Sequence, residues 1–268
     1  MIIREISVKS IISKSGIYGI KYSINPYYGC AHGCTYCYAR FVHTIKGGDP
    51  REWGSFVYVK KNAINLLKRE IYNIDRGSIL ISSVTDPYQA LEKKYMITRG
   101  ILTILLKRQF PVVILTKSDL ILRDIDLLKR FNNLEAGLTI TTLDERIKSI
   151  FEPRAPSIRS RLRALRILSQ RGINTYGFIA PILPILQERE LENLVLTIAE
   201  MGVQRILVDK LNLKSKNWIT LQDALRDFPK PKVREFWKKL KDPSYWSRTK
   251  KLLLEISNKN KITIDFCY

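Results

Sequence analysis

The sequence predicts an α/β fold built on a parallel sheet, followed by a C-terminal extension that does not share its repeat. Two observations carry this. Between residues 20 and 210 an apolar β-type run gives way to a helical pattern six times, the alternation of a sheet wound by right-handed crossovers. Beyond Lys210 the alternation stops. Six units are too few for a closed eightfold barrel. They form either an open, partial barrel or a flat doubly wound sheet, and periodicity alone does not separate the two.

The first strand, 20–24, runs into a cluster of cysteines. A helix over 62–74 follows, with Ile64, Leu67, Ile71 and Ile74 on one face. After the second strand, 78–82, Thr98 is placed to cap an apolar helix ending at 109. The third strand, 112–115, precedes a helix near 122–131. The fourth, 135–140, is followed by a basic helix opened by Ser157 and stopped by Gly172. The fifth, 174–180, leads to a helix over 188–201 stopped by Gly202, and the sixth is 205–208. Past 210, KDPSYW, several tryptophans and a final KITIDFCY suggest an irregular or helical segment. The expected division is an N-terminal segment 1–19, a core 20–210 and a basic extension 211–268.

Composition narrows the class. Apolar residues make up 45% of 268, and no run of eighteen is apolar, so no membrane span or membrane partner is expected. The start, MIIREISVKS, lacks the apolar stretch of a secretory signal. Four cysteines, three of them clustered, suit thiolate ligands in a cytoplasmic protein better than disulfides. Lys and Arg number 46 against 25 Asp and Glu, a formal charge of +21. Such an excess points to a polyanionic partner, with DNA or RNA the first candidate. Fifteen of those basic residues and six acidic ones lie in 210–268, among Trp218, Trp237, Tyr245 and Trp246, where aromatic faces are placed to stack on bases.

Parallel α/β sheets do their chemistry at the carboxyl ends of the strands. Polar residues collect there: Ser23 and Asn25, then Ser82, Ser83, Thr85 and Asp86, then Thr116, Lys117 and Ser118. Thr139, Thr141 and Thr142 end the fourth strand, and Asp209 and Lys210 the sixth. One such set is ordinary turn chemistry; five at one end of one sheet describe a site.

The cysteines have the spacing Cys30-x3-Cys34-x2-Cys37 in NPYYGCAHGCTYCYAR, with Gly29 and Gly33 interleaved. Structural zinc and four-cysteine clusters complete four protein ligands. Three thiolates on a [4Fe–4S] cube leave one iron open to a substrate or cofactor. The competing arrangement is a structural Cys3His site using His32 or His43, in a non-catalytic nucleic-acid-binding protein. Three thiols within eight residues are too many for packing alone.

With Tyr36 just before its last cysteine, the motif resembles the signature of the radical S-adenosylmethionine (radical SAM) superfamily. The wider pattern is similar to its spore photoproduct lyase-like branch: VTDPYQALE from Val84, LTKSDL from Leu115, TITTLDERI from Thr139, EPRAPSIRSRLRALRIL from Glu152 and FIAPILP from Phe178. The resemblance implies a partial (β/α)6 TIM-like barrel with a [4Fe–4S] cluster on Cys30, Cys34 and Cys37. SAM would bind the open iron and be cleaved reductively to a 5′-deoxyadenosyl radical that abstracts hydrogen from substrate, with ferredoxin or flavodoxin as reductant. It places Lys117 on the SAM carboxylate, against the alternative of a solvated turn lysine. It places Thr85 and Thr139 or Thr141 near the amino acid and ribose, Tyr36 at adenine through its backbone, and Ala180 and Pro181 as the adenine's apolar wall. One departure stands out. The lyases carry a hydrogen-donating cysteine in the strand-two motif, and here SSVTDPYQ puts Ser83 or a neighbour there. A hydroxyl cannot replace a thiol in that role, so dimer repair is not expected unless Cys267 or a tyrosine substitutes. A nucleotide-linked compound, a peptide or a small molecule stays open as substrate.

Overall fold

The computed structural model describes residues 1–268. In chain order the strands are β1 (Ile2–Ile6), β2 (Ile12–Lys14), β3 (Tyr22–Ile24), β4 (Tyr27–Tyr28), β5 (Phe56–Lys60), β6 (Ile79–Ile81), β7 (Val112–Thr116), β8 (Leu134–Thr139), β9 (Asn174–Ile182), β10 (Arg205–Lys210) and β11 (Ile264–Phe266). The main sheet has the order β2-β3-β6-β7-β8-β9-β10-β11, every pair parallel except β2 with β3. Spatial order follows chain order throughout, whereas a doubly wound sheet reverses after its first strand. The fold is therefore a partial TIM-like barrel, open between β2 and β11.

All six expected strands are present, from β3 to β10. Beneath the alternation lies a division of faces. In β7, Val112, Ile114 and Thr116 are buried against helices, while Val113 and Leu115 are half-buried on the inner face; a period of two carries Lys117 onto that inner face as well. Gly137 in β8 stands across from Tyr176 in β9, and a Cβ there would come within 2.3 Å of the tyrosine ring, which fills the barrel floor. The outer faces join the helices in one core of 59 buried residues. Helix Ile97–Lys107 buries Ile97, Ile101, Leu102, Leu105 and Leu106 there, each contributing about 1.5–3 kcal/mol.

Ser157 caps helix Ile158–Gln170 by accepting from the Ser160 amide, and Gly172 and Gly202 take positive φ after their helices. Thr98 does not cap. Helix Ile97–Lys107 starts one residue earlier, and the Glu92 carboxylate accepts from the Thr98 and Arg99 amides, leaving the Thr98 hydroxyl to donate to the Pro87 carbonyl. A 3-10 turn, Asp119–Asp124, and the short helix Ile125–Leu128 replace the single helix expected near 122–131.

Two features had no counterpart in the alternation. β1, β5 and β4 form a separate small sheet beside the cysteine loop. The segment after 210 is helical over Asn217–Ala224, Lys230–Lys241 and Pro243–Asn260, then returns β11 to the main sheet, parallel to β10. Its aromatics are mostly structural. Trp246 is buried with its indole N–H on the Leu240 carbonyl, and Trp237 and Tyr245 pack on the core. Only Trp218 is exposed, which reduces the expected row of stacking platforms to that ring, the others being packed on the core.

Candidate active site

The cysteine loop leaves β4 and crosses the carboxyl ends of the barrel strands. Two backbone positions make its tight path available only to glycine. Gly29 has φ +86 and a Cβ there would stand 2.6 Å from the Phe56 carbonyl; Gly33 has φ +61 and would meet the Arg154 guanidinium at 2.5 Å. Buried Arg40 knits the loop by donating to the carbonyls of Cys34, Thr35, Cys37 and Pro50 at 2.8–3.0 Å. Distant elements hold the rest of its backbone. Gln89 accepts from the Ala31 amide, Thr85 donates to the Gly29 carbonyl, and Arg154 Nε donates to the Ala31 carbonyl. Asn217 and Thr220 donate to the carbonyls of Tyr36 and Thr35.

All four cysteines are free. Cys30 and Cys34 are buried and Cys37 half-buried. Burial pushes all three thiols up, Cys34 to about 12, and Cys30 is raised further by Asp86 and by the other two thiols. Lys117 opposes that rise at Cys34 and Cys37. Lys117 itself, pulled down by burial, is carried above its usual value by Cys34 and Glu152. It stands 5.6 Å from the Tyr36 ring, its amide held by Asp86, which also accepts from the Thr116 hydroxyl. Lys117 is therefore half-buried beside the cysteine loop.

No three His, Cys, Asp or Glu side chains converge where one ion would sit. Both histidines are engaged elsewhere. His43 Nε2 lies 2.6 Å from Glu52, and His32 Nδ1 lies 3.4 Å from Asp86, with burial keeping its imidazole neutral. The Cys3His single-ion arrangement is thus not formed. A [4Fe–4S] cube takes each thiolate on a different iron, so its ligands ring a space and do not meet at a point. Two unpartnered buried groups fit such an occupant: the Trp53 indole N–H, packed in a small cluster with Cys30, Ala39 and Phe56 against which Cys37 lies, and the Ser82 hydroxyl at the end of β6, where φ is +70.

Thr139 and Thr141 are buried, and Thr141 donates to Glu152. Ala180 and Pro181 are half-buried near the end of β9. The Tyr36 hydroxyl also donates to Glu152, whose carboxylate is 2.5 Å from Arg161. Tyr38 is half-exposed, donates to the Ser83 carbonyl, and is pushed up to about 12 by burial and by Cys37, with Asp209 adding to the shift. Cys267 is exposed at the carboxyl end of β11, its amide on the Val208 carbonyl, close to Asp209. Asp86 was among the polar residues at the strand ends, but the sequence did not point to Arg40, Trp53, Gln89, Glu152, Arg154 or Arg161 as parts of the site. The available signal was the EPRAP stretch, whose Glu152 and Arg154 brace the loop from 116 to 123 residues away.

Comparison with known proteins agrees with this geometry. The sequence profile of the Radical SAM superfamily matches residues 24–198. An uncharacterized protein of Methanocaldococcus jannaschii is 44% identical over 186 residues, covering 69% of this chain and 70% of its own length. One of the Acidianus two-tailed virus is 29% identical over 252 residues, 89% of this chain and 79% of its own. Among solved structures, a spore photoproduct lyase complexed with dinucleoside spore photoproduct superposes with TM-score 0.70 at 14% identity, covering 99% of this chain and 82% of that one. SuiB of Streptococcus suis, bound to S-adenosylmethionine, superposes with TM-score 0.59 at 13% identity, covering 91% and 49%. The chain belongs to the radical SAM superfamily, and its cofactors are that family's [4Fe–4S] cluster and S-adenosyl-L-methionine.

Proposed function

We propose that this enzyme holds its cluster on Cys30, Cys34 and Cys37, binds SAM against Lys117, and abstracts hydrogen from a nucleic-acid substrate presented at the barrel mouth. The observation that carries the reading is the gathering of three free thiols, two buried and one half-buried, with a half-buried lysine at the carboxyl ends of the strands. When bound, the cluster and SAM supply reductive cleavage to methionine and a 5′-deoxyadenosyl radical. The chain's own residues bind and orient. Lys117 offers a fixed cation to a carboxylate, Asp86 fixes its backbone, and Arg40, Arg154 and Gln89 keep the thiols in place. The half-buried inner wall of Val113, Leu115, Phe178 and Leu207 keeps the site poor in water.

Membership of the spore photoproduct lyase-like branch is part of this proposal, and so is a cytoplasmic enzyme served by ferredoxin or flavodoxin. The free thiols suit a reducing compartment. The charge of +21 supports a polyanionic substrate. Ser83 in the strand-two motif argues for a reaction other than dimer repair.

Anaerobic reconstitution followed by an assay for 5′-deoxyadenosine tests the chemistry. A brown protein that forms 5′-deoxyadenosine with dithionite and SAM is expected; a reconstituted cluster without SAM cleavage would overturn it. Lys117→Ala is expected to weaken SAM binding at least tenfold while cluster content survives, since truncating one partner of a desolvated charge pair costs about 2–5 kcal/mol. Unchanged SAM affinity would remove Lys117 from the carboxylate. Trp53→Phe is expected to lower the cluster's reduction potential. An N–H aimed at cluster or cysteine sulfur favours the reduced, more negative state, and a tenfold loss in the reduction equilibrium is about 59 mV for one electron. A redox titration followed by electron paramagnetic resonance reads this directly, and an unshifted midpoint would leave the orphaned indole without a role.

A further inference from the structure

Three lysines line one cavity at the rim of the barrel mouth. The cavity, about 610 Å³, lies between the end of β10 and the start of helix Pro243–Asn260. Lys210, Lys241 and Lys250 line it, Trp246 and Tyr268 form its aromatic wall, and none of its eleven lining residues is acidic. Glu235 and Glu255 of the last two helices and Asp242 between them pair with Lys239, Lys251 and Arg248, while Asp209 beside Lys210 offsets part of one lysine's charge. The Lys210 and Lys250 ammonium groups stand 5.6 and 6.0 Å from the Tyr268 ring, and Lys250 is 4.9 Å from the Phe266 ring. The Tyr268 hydroxyl is buried without a hydrogen-bond partner. Like charges lining one cavity repel, and an anion between them reverses the sign of that interaction.

We propose that this cavity is a phosphate site, and that it takes a phosphodiester of the nucleic-acid substrate and anchors the strand at the barrel mouth. The proposal rests on the nucleic-acid reading above. Phosphate suits a cavity lined by three lysines, because its oxygens accept from more than one ammonium group at once. Leu211, Leu213 and Leu240 add an apolar wall for the sugar or base beside it. The place is right for a substrate anchor. Lys210 ends β10 and Tyr268 follows β11, so the cavity sits at the carboxyl ends of the last two strands of the barrel sheet. A phosphate held here lies next to the strand ends where the reacting nucleotide has to sit.

The test is binding of a short fluorescent single-stranded oligonucleotide, followed by anisotropy from low to moderate salt. Three proteins are compared: wild type, Lys241→Gln/Lys250→Gln, and the control Lys232→Gln/Lys238→Gln, which removes the same charge outside the cavity. The cavity variant is expected to lose at least tenfold in affinity at low salt, and its plot of log affinity against log salt flattens by ~0.7 for each phosphate no longer neutralised. The control keeps affinity within a few-fold, and all three proteins melt alike by circular dichroism. Equal losses in the two variants would overturn the cavity while leaving the nucleic-acid reading in place. No oligonucleotide binding by wild type, even at low salt, would overturn both. Displacement of the wild-type strand by inorganic phosphate more strongly than by chloride of equal ionic strength, and loss of that difference in the cavity variant, supports the site. Equal displacement by both salts overturns it.

Discussion

Cys34→Ala abolishes the cluster, and with it 5′-deoxyadenosine formation, while the protein stays folded. Cys34 is buried, and its carbonyl is held by Arg40 whatever the side chain. Truncation therefore removes a ligand and little packing. No local group can take its place. Cys267 lies at the end of β11 close to Asp209, and both histidines already face carboxylates. Cys30→Ala and Cys37→Ala are expected to behave alike. Cys267→Ala keeps wild-type iron, sulfide and visible absorbance. Iron and sulfide analysis with the spin signal of the reduced protein checks the set, and wild-type cluster content in Cys34→Ala would sink the ligand assignment.

Arg161→Ala destabilises the fold by about 3–5 kcal/mol, the cost of leaving a buried charge without its partner. Glu152 and Arg161 are both almost fully buried, 2.5 Å apart. The carboxylate also receives the hydroxyls of Tyr36 and Thr141, and the guanidinium donates to the carbonyls of Thr139 and Pro156. One pair thus ties the cysteine loop, the end of β8 and helix Ile158–Gln170 together. Burial alone would raise the Glu152 pKa, but Arg161 and then Lys117 hold it below the usual carboxylate value. A carboxyl depressed in the folded state contributes stability above its unfolded pKa and loses it as pH falls through the folded value. The gap between wild type and Arg161→Ala is therefore widest at neutral pH and narrows in acid. Urea unfolding at neutral and acid pH measures it. The double variant Glu152→Leu/Arg161→Leu recovers part of the loss, because removing both charges leaves neither stranded; two hydroxyls then lack an acceptor, so recovery is incomplete. A single variant as stable as wild type at neutral pH would show that the pair carries none of the loop's support.

The two predictions rest on different levels of information. The thiols stood out as candidate ligands from spacing alone, since Cys-x3-Cys-x2-Cys is a pattern written within eight residues. Lys117 stood out too, as one of the polar residues at the strand ends and by its place after the third strand in the motif resemblance. The Glu152–Arg161 pair did not. Glu152 stands in the EPRAP stretch and Arg161 falls on the helix face of Ile158, Leu165 and Leu168, but local pattern does not show that the two pair, and the pair's meaning comes from Tyr36, 116 residues away from Glu152.

The sequence by itself determined the six strand–helix units, several of the caps that bound their helices, and the cysteine cluster that follows the first strand. These are patterns of period two, of 3.6, or of a few residues, and local sterics and hydrogen bonding enforce them wherever the chain goes. Only the tertiary structure decided that the strands follow chain order around an open barrel, that three-residue β11 returns to its edge, and that Trp246, Trp237 and Tyr245 pack against the core. It also decided that Arg40, Asp86, Gln89 and Arg154 position the cysteine loop. Those outcomes depend on which distant surfaces bury together and on where a buried polar group finds its partner. β11 is three residues at the end of a segment with no strand–helix repeat, and an arginine bound for the interior looks in sequence like any other in a chain of +21.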